Sequence, residues 1–171
     1  SSAQLAQFTA LEQMTNVNSN LEILQKLQTA SQNTSSLNLI GKTVESYGNA
    51  FRHSANSSET LSYSLASDAE SVRIDIFDIT GSQIDMVRID NQTQGKNNAS
   101  WDGFDKQGNP LPAGTYSFTV KADNQAGVPI AVDTFSSGLV SDIVFGADET
   151  YVIVNGKELP ISTIKRVSIN Q

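Results

Sequence analysis

The stretch Val72-Arg73-Ile74-Asp75-Ile76-Phe77 decides the fold class. Val72, Ile74 and Ile76 alternate with Arg73, Asp75 and Phe77, the period-2 pattern of a strand with one face on a core. A turn at Asp78–Ser82 containing Gly81 follows, and Ile84 to Ile89 reads as the partner strand. Tyr116, Phe118 and Val120 alternate with Ser117, Thr119 and Lys121 as a further strand. Tyr151–Val154 and Leu159–Ile169 flank Asn155-Gly156, the strongest short-range hairpin signal. Short strands, frequent Gly/Asn turns and no amphipathic helix in this region predict an all-β sandwich or barrel.

Upstream the period changes. Residues 3 to about 32 are rich in Ala, Gln, Leu and Glu with no Pro or Gly, which predicts helix. Ala10, Met14, Val17, Leu21 and Leu24 fall on one stripe; Leu5, Phe8, Ile23, Leu27 and Ala30 fall roughly opposite. A helix packed on one core needs one apolar face. Two stripes leave open a buried helix, an αα-hairpin, or a helix that meets partners on both sides. The run Thr15–Asn20 has poor helix propensity, and Ser19 with Glu22 has capping-box spacing, so a break near residues 16–19 is expected. Ser31 to Asn38 is Ser/Asn/Thr-rich and reads as a linker.

Composition narrows the function. The chain has 171 residues and a net charge of −7, enough for one or two domains with a self-supporting core. The acidic balance and the lack of clustered Lys/Arg argue against nucleic-acid binding. No apolar run approaches the ~20 residues needed to span a bilayer, so membrane insertion is not expected. With no cysteine, disulfides, iron–sulfur clusters and thiolate chemistry drop out. A single histidine, His53, would have to carry any Ser-His-Asp triad alone; it lies in a polar run, Arg52–Glu59, and reads as an exposed loop residue. The chain starts at Ser1-Ser2-Ala3-Gln4 with neither a signal peptide nor an initiator Met, and reads as a fragment or processed product.

Trp101-Asp102-Gly103-Phe104-Asp105-Lys106-Gln107-Gly108-Asn109-Pro110-Leu111-Pro112-Ala113-Gly114-Thr115-Tyr116 is the most distinctive motif. Its Asp/Asn spacing suggests a calcium loop, but Phe104 and Lys106 break the ligand alternation and no Glu closes it. A turn framework explains more: Trp101 anchored in the core, Asp102 and Asp105 bonded to local backbone, Gly103 and Gly108 supplying positive φ. Asp75 with Asp78 and Asp85 with Asp90 are possible carboxylate pairs, read here as solvated sheet faces. There is no phosphate-binding glycine loop, and Ser136-Ser137-Gly138 is not a nucleophile elbow. No catalytic, cofactor-binding or metal-binding residue is expected, and no cofactor.

Three stretches together resemble the bacterial flagellar hook-capping family, FlgD. Ala3 to Met14 with Asn18-Ser19-Asn20-Leu21 is similar to its helical segment, Leu39–Val44 to the strand that follows, and the Trp101–Tyr116 motif to its immunoglobulin-like domain. The resemblance implies a mostly β fold with an N-terminal helix: a Tudor-like β-barrel with an inserted Ig/fibronectin-III-like β-sandwich. Mapped here, the helical segment is 1–32, the barrel 38–64 plus 136–171, and the insert 65–135. It also implies a further N-terminal segment in family members, including the region used for flagellar export. The implied role is a non-catalytic scaffold of flagellum biogenesis. It is exported by the flagellar apparatus and located outside the cell at the distal tip of the growing hook. There it self-associates into a cap oligomer and promotes polymerisation of hook protein subunits. Met14, Val17, Leu21 and Leu24 are the candidate interaction residues, packing on the chain's own barrel being the alternative. The competing functional class is an Ig-like binding or anchoring module of a secreted or surface protein, which would have no need of the helix.

Overall fold

The computed structural model describes residues 1–169. Helix α1 runs unbroken from Ser2–Ser36, about 52 Å at 1.5 Å per residue. Its capping box lies at the chain start, not at Ser19/Glu22. Gln4 N–H donates to Ser1 Oγ at 3.4 Å, and the Ser1 amino group donates back to Gln4 Oε1 at 3.3 Å. The expected break near residues 16–19 is absent: Thr15 Oγ1 donates to the Leu11 carbonyl, so its hydroxyl bonds within the helix instead of interrupting it. Thr34 and Ser36 do the same to Ala30 and Gln32, which carries the helix through most of the expected linker. A 3₁₀ turn, Leu37–Leu39, ends it.

Among the described residues twelve antiparallel strands follow. They are β1 (Thr43–Tyr47), β2 (Ala50–His53), β3 (Glu59–Leu65), β4 (Ala69–Phe77), β5 (Gln83–Gln92) and β6 (Gly95–Trp101). After them come β7 (Gly114–Asp123), β8 (Pro129–Ile130), β9 (Val132–Phe145), β10 (Thr150–Val154), β11 (Lys157–Pro160) and β12 (Ile164–Ser168). One sheet has the order β2-β7-β4-β5 with β8 on β7; the other is β11-β10-β9-β1-β12 with β3 and β6 added beside β9.

Burial separates two cores. Phe51, Val72, Ile74, Ile76, Tyr116 and Phe118 of the first sheet face Leu61, Tyr63, Leu65, Ala99 and Trp101 of β3 and β6, as the inner faces of a sandwich. Val44, Val140, Val152 and Val154 form a second, smaller cluster inside the curl of β1, the end of β9 and β10–β12. The mostly β fold with an N-terminal helix therefore holds. Strand β2 and all of β3 but Leu65 lie within 38–64, the range grouped with the barrel, while Phe51, Leu61 and Tyr63 cluster with the sandwich core. Alternation along a strand reveals which side is apolar but not which sheet it joins. Asn170 and Gln171, the end of the expected barrel range, lie outside the described residues.

The Asn155-Gly156 turn has φ of +52° and +77°, the two positive angles a type I′ hairpin requires, and joins β10 to β11. The strand expected over Leu159–Ile169 is interrupted by a 3₁₀ turn at Ile161–Thr163. Thr163 Oγ1 there bonds the carbonyl of Pro160, a residue with no N–H to extend the ladder.

Strand β9 connects the two cores. Residues 132–135 pair with β3, 135–139 with β1 and 140–145 with β10. Gly138 sits where β10 closes in: a Cβ there would lie 2.5 Å from Val154 Cγ1 and 2.8 Å from Asn155 Nδ2. Gly138→Ala is expected to cost about 1–3 kcal/mol by overpacking. Gly108→Ala, with open space but φ of +83°, should cost about 1–2 kcal/mol. Urea unfolding of the two variants checks both figures.

Candidate interaction surface

Residues 1–32 are exposed along their whole length. The body meets α1 at its last turn, where Ser36 is buried and Thr150 Oγ1 donates to Asn33 Oδ1 at 3.5 Å. Met14, Val17, Leu21 and Leu24 are 63%, 55%, 56% and 60% exposed, so this stripe does not pack on the chain's own barrel. The opposite stripe is equally bare, with Leu5, Phe8, Ile23 and Leu27 all exposed. Neither a buried helix nor an αα-hairpin is formed. Scattered apolar side chains on a surface are ordinary, but here they line two sides of one helix that the body leaves uncovered.

The titratable residues that could have served catalysis hold turns together. His53 is not an exposed loop residue. It ends β2 with 1% exposure, and Nδ1 lies 2.9 Å from Glu59 Oε1, while the ring packs 5.0 Å from Trp101 and 5.6 Å from Tyr116. Its burial was legible in β2 itself, where Phe51 and His53 alternate with Arg52. Nε2 is buried without a hydrogen-bond partner among the described residues. A proton on Nδ1, donated to the carboxylate, leaves Nε2 a bare acceptor against apolar surroundings.

Glu59 Oε1 also accepts from Ser54 N–H and Ser57 Oγ–H, both at 2.9 Å. Burial pushes the Glu59 carboxyl up, but these donors and His53 together hold it below the usual carboxylate range. Asp75 is buried, not solvated: Arg73 Nε and Gln83 Nε2 donate to its Oδ1 at 2.9 and 3.0 Å. Asp85 accepts the indole N–H of Trp101 at 2.9 Å. Hydrogen bonds from the Thr80 hydroxyl and the Ser82 N–H hold Asp78 low.

The Trp101–Tyr116 motif is the expected turn framework. Asp102 Oδ1 accepts from Phe104 N–H, and Asp105 Oδ1 from Gln107 and Asn109 N–H. Tyr116 O–H donates to the Pro112 carbonyl at 2.7 Å, the tyrosine-corner arrangement of Ig-type sandwiches. Among the described residues no group of three or more His, Cys, Asp or Glu is placed to hold a metal ion. A cleft between the two cores, lined by Tyr47, Asn49, Thr115, Ser136, Asn155 and Lys157 among others, has a volume of about 130 Å³ and no acidic or histidine side chain in its lining. That is small beside the ~300–1,000 Å³ of ligand pockets. No helix is long and apolar enough to cross a membrane among the described residues.

Residues 48–126, from just before β2 to just after β7, match the family model of the FlgD Ig-like domain. Two curated relatives are both basal-body rod modification proteins FlgD, from strains of Buchnera aphidicola. The one from subsp. Schizaphis graminum is 30% identical over 142 residues, and the one from subsp. Acyrthosiphon pisum is 26% identical over 164. The chain is thus similar to FlgD proteins over most of its length. The aligned parts are 83% and 94% of this chain but 62% and 68% of those relatives' lengths. Among solved structures, FlgD from Xanthomonas campestris superposes with a TM-score of 0.68 at 25% identity, covering 79% of this chain and 98% of that one. Its structural report concerns hook capping essential for flagellar assembly. FlgD from P. aeruginosa shares the fold, with a TM-score of 0.69 at 21% identity over 76% of this chain and 98% of its own. The FlgD Ig-like match begins before β2, in agreement with the core that places β2 and β3 in the sandwich.

The depressed Glu59 carboxyl fixes the sign of a pH effect. A group whose proton affinity falls on folding stabilises above its unfolded pKa, about 4.3 for glutamate, and that stability is lost as pH falls through the folded value. Glu59→Gln should therefore have a lower melting temperature than the parent at pH 7 and a shallower loss of it below about pH 4.3. Melting curves from pH 7 to pH 3 check this; parallel curves would count against the Glu59 network.

Proposed function

We propose that this chain is a non-catalytic scaffold of flagellar hook assembly, which caps the growing hook tip and promotes polymerisation of exported hook subunits. The observation that carries this is α1: a helix with apolar residues on both sides, standing free of a β body that completes its own two cores. Similarity to FlgD supplies the assembly context, since those relatives are named for basal-body rod modification. The acidic and histidine residues are engaged in turns and strand ends, which suits a scaffold better than an enzyme. On this reading the chain works outside the cell at the distal tip of the hook, meeting copies of itself and hook subunits through Met14, Val17, Leu21 and Leu24. An Ig-like anchoring module would need only the sandwich and leaves the helix without a purpose.

The division we propose is α1, a sandwich built on β2–β8 and the start of β9, and a Tudor-like barrel of β1, the rest of β9 and β10–β12. The test uses a deletion strain of the source bacterium, examined by electron microscopy of its basal bodies with hook protein assayed in the medium. Basal bodies without hooks, and hook monomers in the medium, are expected. The gene carrying Leu21→Asp with Leu24→Asp should fail to restore hooks, while the purified variant keeps the parent's β-domain melting temperature. Normal hooks in the deletion strain would sink the scaffold role; normal hooks with the double variant would remove the stripe from it.

A further inference from the structure

Resting on that reading of α1 as the assembly element, we infer that the helix recognises a second copy of this chain through a parallel, in-register heptad seam, and that its opposite stripe stays outside the seam. Met14 and Leu21 occupy a positions; Ala10, Val17 and Leu24 occupy d positions, so the apolar repeat is 3.5 residues, the period that holds two helices face to face. The charges follow the same frame. Glu12, Glu22 and Lys26, the charged residues of α1, fall at f, b and f, away from the seam. The flanking e and g positions hold Leu11, Asn18 and Gln25 with Gln13, Asn20 and Leu27, so identical chains meet without like-charge repulsion.

The second stripe cannot replace the first. Leu5 and Phe8 are separated from Ile23 and Leu27 by Glu12, Asn16 and Ser19 on the same side. Setting Met14, Val17 and Leu21 against that polar middle would bury unpaired polar groups, whereas the seam matched to itself does not. Leu5, Phe8 and Ile23, at f, b and c positions, thus lie outside the seam, with Leu27 at its margin.

Direction follows from Gln7 and Gln28, the a positions that bound the apolar block. Parallel pairing sets each glutamine beside its own copy, where the amides can bond one another. Antiparallel pairing packs a against d, which sets Gln7 against Leu24 in one register or Gln28 against Ala10 in the other and leaves the amide without a partner. The fully apolar part, Ala10 to Leu24, is shorter than the ~3–4 heptads of a stable coil. Association is therefore concentration-dependent.

The chain has no cysteine, so one introduced thiol reports one position. Ala3 and Ser31 are exposed d positions at the two ends of the seam. Under mild oxidation, Ala3→Cys and Ser31→Cys should each crosslink to itself at least about tenfold faster than Glu22→Cys on the outer face, because pairing raises the local thiol concentration. The weight-average mass of the parent should rise in sedimentation between about 5 and 500 µM. Crosslinks only between Ala3→Cys and Ser31→Cys in a mixture would mean antiparallel pairing and overturn the inference. So would a chain monomeric throughout, or thiols that react at one rate. The hook assay separates this from the scaffold role: a monomeric chain from a gene needed for hooks discards the seam alone, and parallel crosslinks in a chain whose deletion leaves hooks normal discard the role alone.

Discussion

Strand β9 is the constraint on which the rest depends. Its 14 residues lay one backbone across two hydrophobic clusters, hydrogen-bonding β3, then β1, then β10. Phe135 marks the changeover, paired on one edge with Ser62 and on the other with Tyr47, against whose ring it stacks at 5.3 Å. Because a strand's side chains alternate by face, the register fixed in the sandwich also sets the register in the curled sheet. That alternation holds as far as Val140, beyond which the register against β10 shifts at Ser141. Gly138, without a side chain, allows β10 to close over the strand at that junction.

The two halves rely on different interactions. The sandwich has aromatic rings at its centre, Phe51 and His53 against Trp101 and Tyr116. The smaller sheet has a core of four valines with partly buried neighbours, and relies on tight turns such as Asn155-Gly156. Apolar burial scales with area, so the sandwich carries the larger share of the stability. The helix adds little to either, since residues 1–32 are exposed and burial begins at its last turn.

What was legible in the sequence was local. The alternation at Val72–Phe77, the Asn155-Gly156 hairpin and the turn framework after Trp101 each follow from a few adjacent residues. Membership of β2 and β3 was not legible, because Phe51 and Leu61 look the same whichever sheet completes their core; the partners lie on β7 and β6, far along the chain. His53 was misplaced because its neighbours Ser54–Glu59 are polar, although its own strand alternates correctly. The helix ran past its expected breaks because Thr15, Thr34 and Ser36 satisfy their hydroxyls on carbonyls four residues back. Local composition argued for a loop, and the helical hydrogen bonds outweighed it. The stripe Met14, Val17, Leu21, Leu24 was legible as apolar; its exposure was not, since periodicity defines a face without saying what covers it.

That last distinction bears on how such a helix can work. A helix gains most of its stability in proteins from packing an apolar face, and α1 has no such packing within its own chain. Its order then depends on helix propensity and on whatever it meets. A body that closes its own cores does not need that partner to fold, so the helix can gain and lose contacts without unfolding the protein. Strong hydrophobic seams resist dissociation, while the polar residues that bound this one, Gln7 and Gln28, limit how much surface is buried. On the proposed reading, a short seam bounded by Gln7 and Gln28 on a helix that the body leaves uncovered is a contact that forms at high local concentration and releases when that concentration falls.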